Sequence, residues 1–268
     1  MMSQLLWVAN DGYNVAKRNL IKLKRVPEIM VWVLMSPIMF VLLFAYVFGG
    51  AIDVPGVSYR EFLIAGIFAQ TVVFGATYTG AGLAEDMKKG IIDRFRSLPM
   101  TRSAVLIGRT GSDIVYNVLS ITIMALTGLL VGWRIRTSLW EAVAGFGILI
   151  LFSYAFSWVM ACVGLVVPSP EVVNNASFMV IMPLTFISNA FVPTESLPGP
   201  LRVFAEWNPV SAVTQAARDL FGNTNSLAPP PEAWPMQNPV LYTLIWIGVM
   251  LLVFVPFSIR LYKRAATR

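Results

Sequence analysis

Six stretches of this chain run for 20 residues or more without a single Asp, Glu, Lys or Arg: 29–52, 62–84, 114–133, 142–170, 172–194 and 233–259. An ionised side chain at the centre of a bilayer costs about 2.5–3.5 kcal/mol, so charge-free runs of this length mark spans. About 20 apolar residues cross the hydrocarbon core as a helix. Hydrogen bonding inside the segment is what makes the helix the viable spanning structure there. The expected fold class is therefore an all-α polytopic membrane protein with six transmembrane helices.

Composition agrees and excludes whole classes of chemistry. Of the 268 residues, 57% are hydrophobic and 13% charged, against about 25% charged in a soluble domain. There is no histidine, so histidine triads, bases and metal ligands are impossible. The single cysteine, Cys162, cannot form an intrachain disulfide or a multi-cysteine zinc site. The net charge of +6 suits anionic headgroups better than nucleic acid.

The fourth and fifth runs are separated only by Val167-Pro168-Ser169-Pro170-Glu171. Two prolines remove backbone donors and stop a helix, so this is read as a tight hairpin between two spans. Orientation follows from Lys and Arg. With six spans, fifteen of the twenty cations fall on one side: 17–25, 88–109 and 260–268. The positive-inside bias places both termini in the cytoplasm of a cell-membrane protein.

Outside the spans, residues 5–25 carry apolar or small side chains at Leu5, Val8, Gly12, Ala16, Leu20 and Leu23. This spacing predicts an N-terminal amphipathic helix in the headgroup plane. Between spans two and three, charges are dense, yet Met87, Ile91, Phe95 and Leu98 recur at helical spacing up to Pro99. A short helix with an apolar ridge is expected, needing either a partner surface or the chain's own helix ends. The outer segment 193–238 is rich in proline but apolar at 201–207 and 211–221, which predicts two short helices at the membrane edge.

Some span residues could line a path. Asp113, Tyr116, Asn117 and Ser120 form a polar stripe on the third run; it suits either a substrate or helix–helix hydrogen bonding. In the fifth run, Phe178, Met179, Met182 and Phe186 lie among Asn174, Asn175, Ser177, Ser188 and Asn189. Soft aromatic walls suit amphipathic ligands, and they also suit ordinary packing. Pro37 and Pro183 sit mid-run, where kinks are expected. Gly128 and Gly132 offer a close-contact step.

Two patches resemble a known family. The first is Asp86, Gly90, Asp93-Arg94, Arg96-Ser97-Leu98-Pro99, Thr101-Arg102 and Gly108-Arg109. The second is Asn189-Ala190-Phe191-Val192-Pro193, Leu197-Pro198, Asn208-Pro209 and Arg218-Asp219-Leu220. Together they are similar to the ABC-2-type permeases, and within them to the daunorubicin-resistance subgroup. The resemblance covers essentially the whole chain as one permease domain: an interfacial helix at 1–27, a membrane domain at 28–259 and a cytoplasmic tail at 260–268.

The resemblance implies a non-catalytic exporter subunit. It would pair with a second permease copy, identical or paralogous, and with two ATP-binding-cassette subunits that hold ATP and Mg2+. The chain itself has no phosphate loop of the Gly-x-x-x-x-Gly-Lys-Ser/Thr type, and no cofactor is expected on it. The family's coupling helix falls on 85–99, giving Glu85, Asp86, Met87, Lys88, Lys89, Gly90, Ile91, Asp93, Arg94, Phe95, Arg96, Leu98 and Pro99 as its candidate contacts. The implied cargo is amphipathic or lipid-like: a drug, polyketide, glycolipid or cell-wall precursor. An ion-coupled carrier, a membrane-embedded enzyme and an assembly factor are the rival readings; acids near span ends and absent histidines weigh against the first two.

Overall fold

The computed structural model describes residues 11–19, 21, 27–48, 56–91, 102–167, 169–224 and 231–265. Among them every regular element is helical. Helix α1 covers 11–19. Helix α2, Pro27–Leu43, continues into a π-helical turn, Phe44–Phe48. Then follow α3 (Tyr59–Gly75), α4 (Thr77–Lys88), α5 (Arg102–Val131), α6 (Leu139–Val166) and α7 (Pro170–Phe186). After a 3-10 turn at Thr194–Ser196 come α8 (Gly199–Trp207), α9 (Pro209–Phe221), α10 (Trp234–Gln237) and α11 (Pro239–Ala265).

Four helices among the described residues are long and apolar enough to cross a membrane: Tyr59–Lys88, which joins α3 to α4, Val105–Val131, Leu139–Val166 and Pro239–Arg264. They match the second, third, fourth and sixth charge-free runs. The first run gives α2 and its π turn. The fifth gives α7, which stops at Phe186 although the charge-free run reaches 194. The reason is local: the Asn208 amide donates to the carbonyls of Leu184 (2.7 Å) and Ile187 (2.8 Å), closing the helix end.

The boundaries have recognisable causes. A capping box opens α6, with the Glu141 carboxylate accepting from the Ser138 amide at 2.9 Å. Ser169 caps α7 ahead of Pro170. Asn208 caps α9 ahead of Pro209, and Gly222 ends it at φ +71, a left-handed conformation suited to glycine.

Helix α6 is the central post, touching α4, α5, α9 and α11. Backbones come together where side chains are missing: a Cβ on Gly164 would collide with the Gly80 backbone, and one on Gly66 with the Ala190 carbonyl. The in-helix step expected at Gly128 and Gly132 is not such a contact. Gly132 lies beyond α5 at φ +106, with open space around it. Near this end of the bundle Phe68, Trp133, Phe146 and Phe221 pack mutually, with Trp133 edge-on to Phe221 at 5.4 Å.

Arg218 on α9 ties this architecture together. It is 1% exposed. Its Nε donates to the Phe62 carbonyl at 2.9 Å, and its Nη2 to those of Asn189 (2.7 Å) and Ala190 (3.1 Å). The guanidinium also lies 3.5 Å over the Phe62 ring. One side chain thus pins the start of α3 and the turn after α7 to α9. Arg218→Met would remove three hydrogen bonds and leave the carbonyls of Asn189 and Ala190 without this partner, at about 1–3 kcal/mol each, while that of Phe62 keeps its helical one. A fall of several degrees in the thermal midpoint in detergent is the expected result, with Arg218→Lys only partly restoring it. An unchanged midpoint would contradict the clamp.

Candidate functional site

A cavity of about 280 Å³ opens between α2, α3, α4, α5 and α7. Ligand pockets typically run from about 300 to 1,000 Å³, so this one takes a ring system or part of a larger molecule. Its apolar wall is Phe40, Phe74, Phe178 and Met182, with Tyr78 and Tyr116. Phe74 and Phe178 face each other at 6.1 Å between centroids, and Tyr78 and Tyr116 at 5.3 Å. Its polar groups are Ser36, Gln70, Thr71, Thr77 and Ser120, beside Gly75. Among the described residues no charged side chain is in this wall.

The cavity sits where the second span changes helix. Helix α3 ends at Gly75 and α4 starts at Thr77; Ala76 between them keeps right-handed helical dihedrals (φ −65, ψ −20), so the break is a local slip of the hydrogen-bond ladder, with the Thr79 amide bonding back to the Ala76 carbonyl. The Thr77 hydroxyl donates to the Phe74 carbonyl at 2.7 Å, a bond that fits a locally bent helix. Asn117 supports the joint. Its amide donates to the Asp113 carbonyl at 2.9 Å, and its Oδ1 fills the space a Cβ on Gly75 would take.

The sequence-derived path residues separate into two groups. Tyr116, Phe178 and Met182 line the cavity. Asp113 and Asn117 are buried beside it, and the Thr79 hydroxyl donates to the Asp113 carboxylate. Met179 points outward at 77% exposure, and Phe186 packs on Phe191 at 5.0 Å. The sequence reading missed Gln70, Ser36, Phe40 and Phe74. A lone amide in an apolar span is itself a functional signal, and Gln70 carried it.

The other candidate region is the end of α4. Glu85, Asp86, Met87 and Lys88 form its last turn, Lys89 follows, and Gly90 is left-handed at φ +65. This corrects the expected single helix over 85–99: Gly90 breaks it, so Met87 and Ile91 do not share one continuous ridge. Asp93, Arg94, Phe95, Arg96, Leu98 and Pro99 lie outside the described residues, as do residues 1–10, 20 and 22–26 of the expected N-terminal helix.

Within the described part, α1 packs on this end of the bundle. Gly108 on α5 abuts Gly12 and Val15, Arg18 donates to Asp86 at 2.9 Å, and the Asn19 amide donates to Ser112 at 3.3 Å. The Glu85 carboxylate, 2.6 Å from Lys89 Nζ, raises that ammonium above its ordinary value. Nearby, Arg109 donates to the Tyr78 carbonyl at 2.6 Å, connecting α5 to the cavity wall.

Thr79→Val removes the buried bond to Asp113 and should lower stability by about 1.5–3 kcal/mol, the range for hydrogen bonds to charged groups. Asp113→Asn, which can still accept from Thr79, should cost less. Chemical unfolding of the two variants in detergent checks the order, and equal stability of Thr79→Val and wild type would refute it.

Comparison with known proteins adds to this geometry. The profile of the family described as "ABC-2 type transporter" matches residues 13–221. The daunorubicin resistance ABC transporter permease protein DrrB1 of Streptomyces coeruleorubidus is 33% identical over 246 residues, covering 92% of this chain and 83% of that protein. The protein named Probable doxorubicin resistance ABC transporter permease protein DrrC, from Mycobacterium tuberculosis, is 24% identical, covering 73% of this chain and 67% of its own length.

Proposed function

The chain belongs to the ABC-2 type transporter family, and we propose that it serves as the permease subunit of an exporter driven by ATP hydrolysis on a separate subunit. The observation that carries this reading is the cavity at the α3–α4 joint, walled by aromatic rings and neutral polar groups. Such a wall accepts the apolar part of an amphipathic molecule without a desolvated charge. The two relatives named for daunorubicin and doxorubicin resistance support a drug or another amphipathic or lipid-like molecule as cargo.

In this reading the first and fifth charge-free runs also cross the membrane. That gives six spans with both termini in the cytoplasm, and α8–α10 lie on the outer side. A second permease copy, identical or paralogous, completes the pathway. Two ATP-binding-cassette subunits, with their ATP and Mg2+, engage the loop that follows α4. The Gly90 break then separates α4 from the docking part of that loop, and Arg18 holds Asp86 on the near side of the break. Motion of the loop would reach the cavity through α4, whose first turn, at Thr77 and Tyr78, is part of its wall.

A specific observation favours one rival, an ion-coupled carrier: the buried carboxylate of Asp113 lies next to the cavity. Vesicle transport decides between them. With the ATP-binding subunit present, uptake into inside-out vesicles should require ATP and persist when ion gradients are collapsed. Transport by this chain alone, driven by an ion gradient, would overturn the exporter reading. Phe95→Asp should abolish co-purification with the ATP-binding subunit while the permease alone is still purified in wild-type yield as a single species.

A further inference from the structure

Among the described residues Gln70 is the one carboxamide in the cavity wall. It lies inside the apolar helix Tyr59–Lys88 and is 5% exposed. Among the described residues nothing hydrogen-bonds its amide, and its polar atoms open onto the cavity, unlike Asn117 Oδ1 and Asn189 Oδ1, which are fully enclosed without a partner. Ser120, which shares the cavity and is 2% exposed, likewise makes no side-chain hydrogen bond to a described residue. An amide that opens only onto such a cavity has to take its partner there, from water or from a ligand. The cavity itself is where its partner has room to sit.

We propose that this cavity is a binding site for an uncharged ring compound bearing a hydroxyl or carbonyl group, and that Gln70 is its specificity-determining residue. A primary amide offers two donors and an acceptor in one plane. It therefore complements a phenol or a ring carbonyl, and rejects the plain hydrocarbon of the same shape by leaving its own groups unpaired. Phe74 and Phe178 supply aromatic walls on which a ring can pack edge-on or offset. Among the described residues the wall has no charged side chain, so an ionised ring would lose its hydration without compensation. The size limits the bound part to a small ring system.

This inference deepens the exporter reading by naming the chemistry of the cavity. Its test needs neither ATP nor the partner subunit, so the two can fail separately. The full chain is reconstituted in nanodiscs, with empty nanodiscs as background. Equilibrium binding of radiolabelled 1-naphthol, naphthalene and naphthalene-1-sulfonate is then measured. Wild type should bind 1-naphthol saturably, at least tenfold tighter than naphthalene, and exclude the sulfonate. Gln70→Leu should weaken 1-naphthol about tenfold and leave naphthalene unchanged. Gln70→Asn, which keeps the amide, guards against a folding defect and should retain part of the preference. Absence of saturable 1-naphthol binding to wild type would mean the amide serves water alone and would overturn the proposal. So would an unchanged naphthol-to-naphthalene ratio in a folded Gln70→Leu protein.

Discussion

A guanidinium with no water around it has to find oxygen atoms, and Arg218 finds three backbone carbonyls from two other parts of the chain for its Nε and Nη2, while its Nη1 stays without a partner among the described residues. That requirement fixes where α7 must end. The carbonyls of Asn189 and Ala190 are available only because the chain leaves its helix at Phe186 and turns back toward α9. The turn is closed further by the Asn189 backbone amide donating to Ser211 at 3.0 Å, and by Tyr59 donating to the Phe191 carbonyl at 3.2 Å. At the far end of α9, the carbonyls of Leu220 and Phe221 accept from Thr137 (2.6 Å) and the Arg136 amide (2.9 Å). Helix α9 is thus bolted at both ends to the bundle. In a low-dielectric interior each of these bonds is strong, and expensive to leave unmade.

This rigid end contrasts with the region around Gly75 and Ala76. There the second span is interrupted, a cavity replaces packing, and Gln70 lacks a hydrogen-bond partner among the described residues. Below the joint, α4 is seated firmly again on α6 through the Gly80–Gly164 approach. A largely apolar cavity between two well-packed zones gives up stability at one place that packing supplies elsewhere. The family to which the chain belongs is one of transporters, and the joint lies between the Arg218 clamp and the end of α4.

Much of this was legible in the chain, and the failures are physical. Charge-free runs revealed the helices because ionised groups cannot be hidden in lipid, whatever the tertiary fold. The same criterion overran α7, since it senses solvation and not where Asn208 would cap the carbonyls of Leu184 and Ile187. A search for glycine spacing within one helix found Gly128 and Gly132; the close contact is between Gly80 and Gly164 on different helices, and one-helix periodicity cannot detect it. The stripe on the third run did contain two cavity residues, Tyr116 and Ser120, because polar residues in a span must face protein or water. Gln70 was overlooked because it stands alone, without the repeat that marks a stripe. Arg218 belonged to a recognised motif, but its burial follows only from the fold around it.

The central claim is that the cavity beside the α3–α4 joint holds the transported molecule and responds to ATP on the partner subunit. The single native cysteine makes this directly measurable. With Cys162→Ala as background, Ser120→Cys places one thiol in the cavity wall, and its rate of labelling by a maleimide can be followed in the assembled transporter. The account predicts a several-fold change in that rate between nucleotide-free and ATP-bound states, and slower labelling when 1-naphthol is present. A rate indifferent to both nucleotide and 1-naphthol would contradict it.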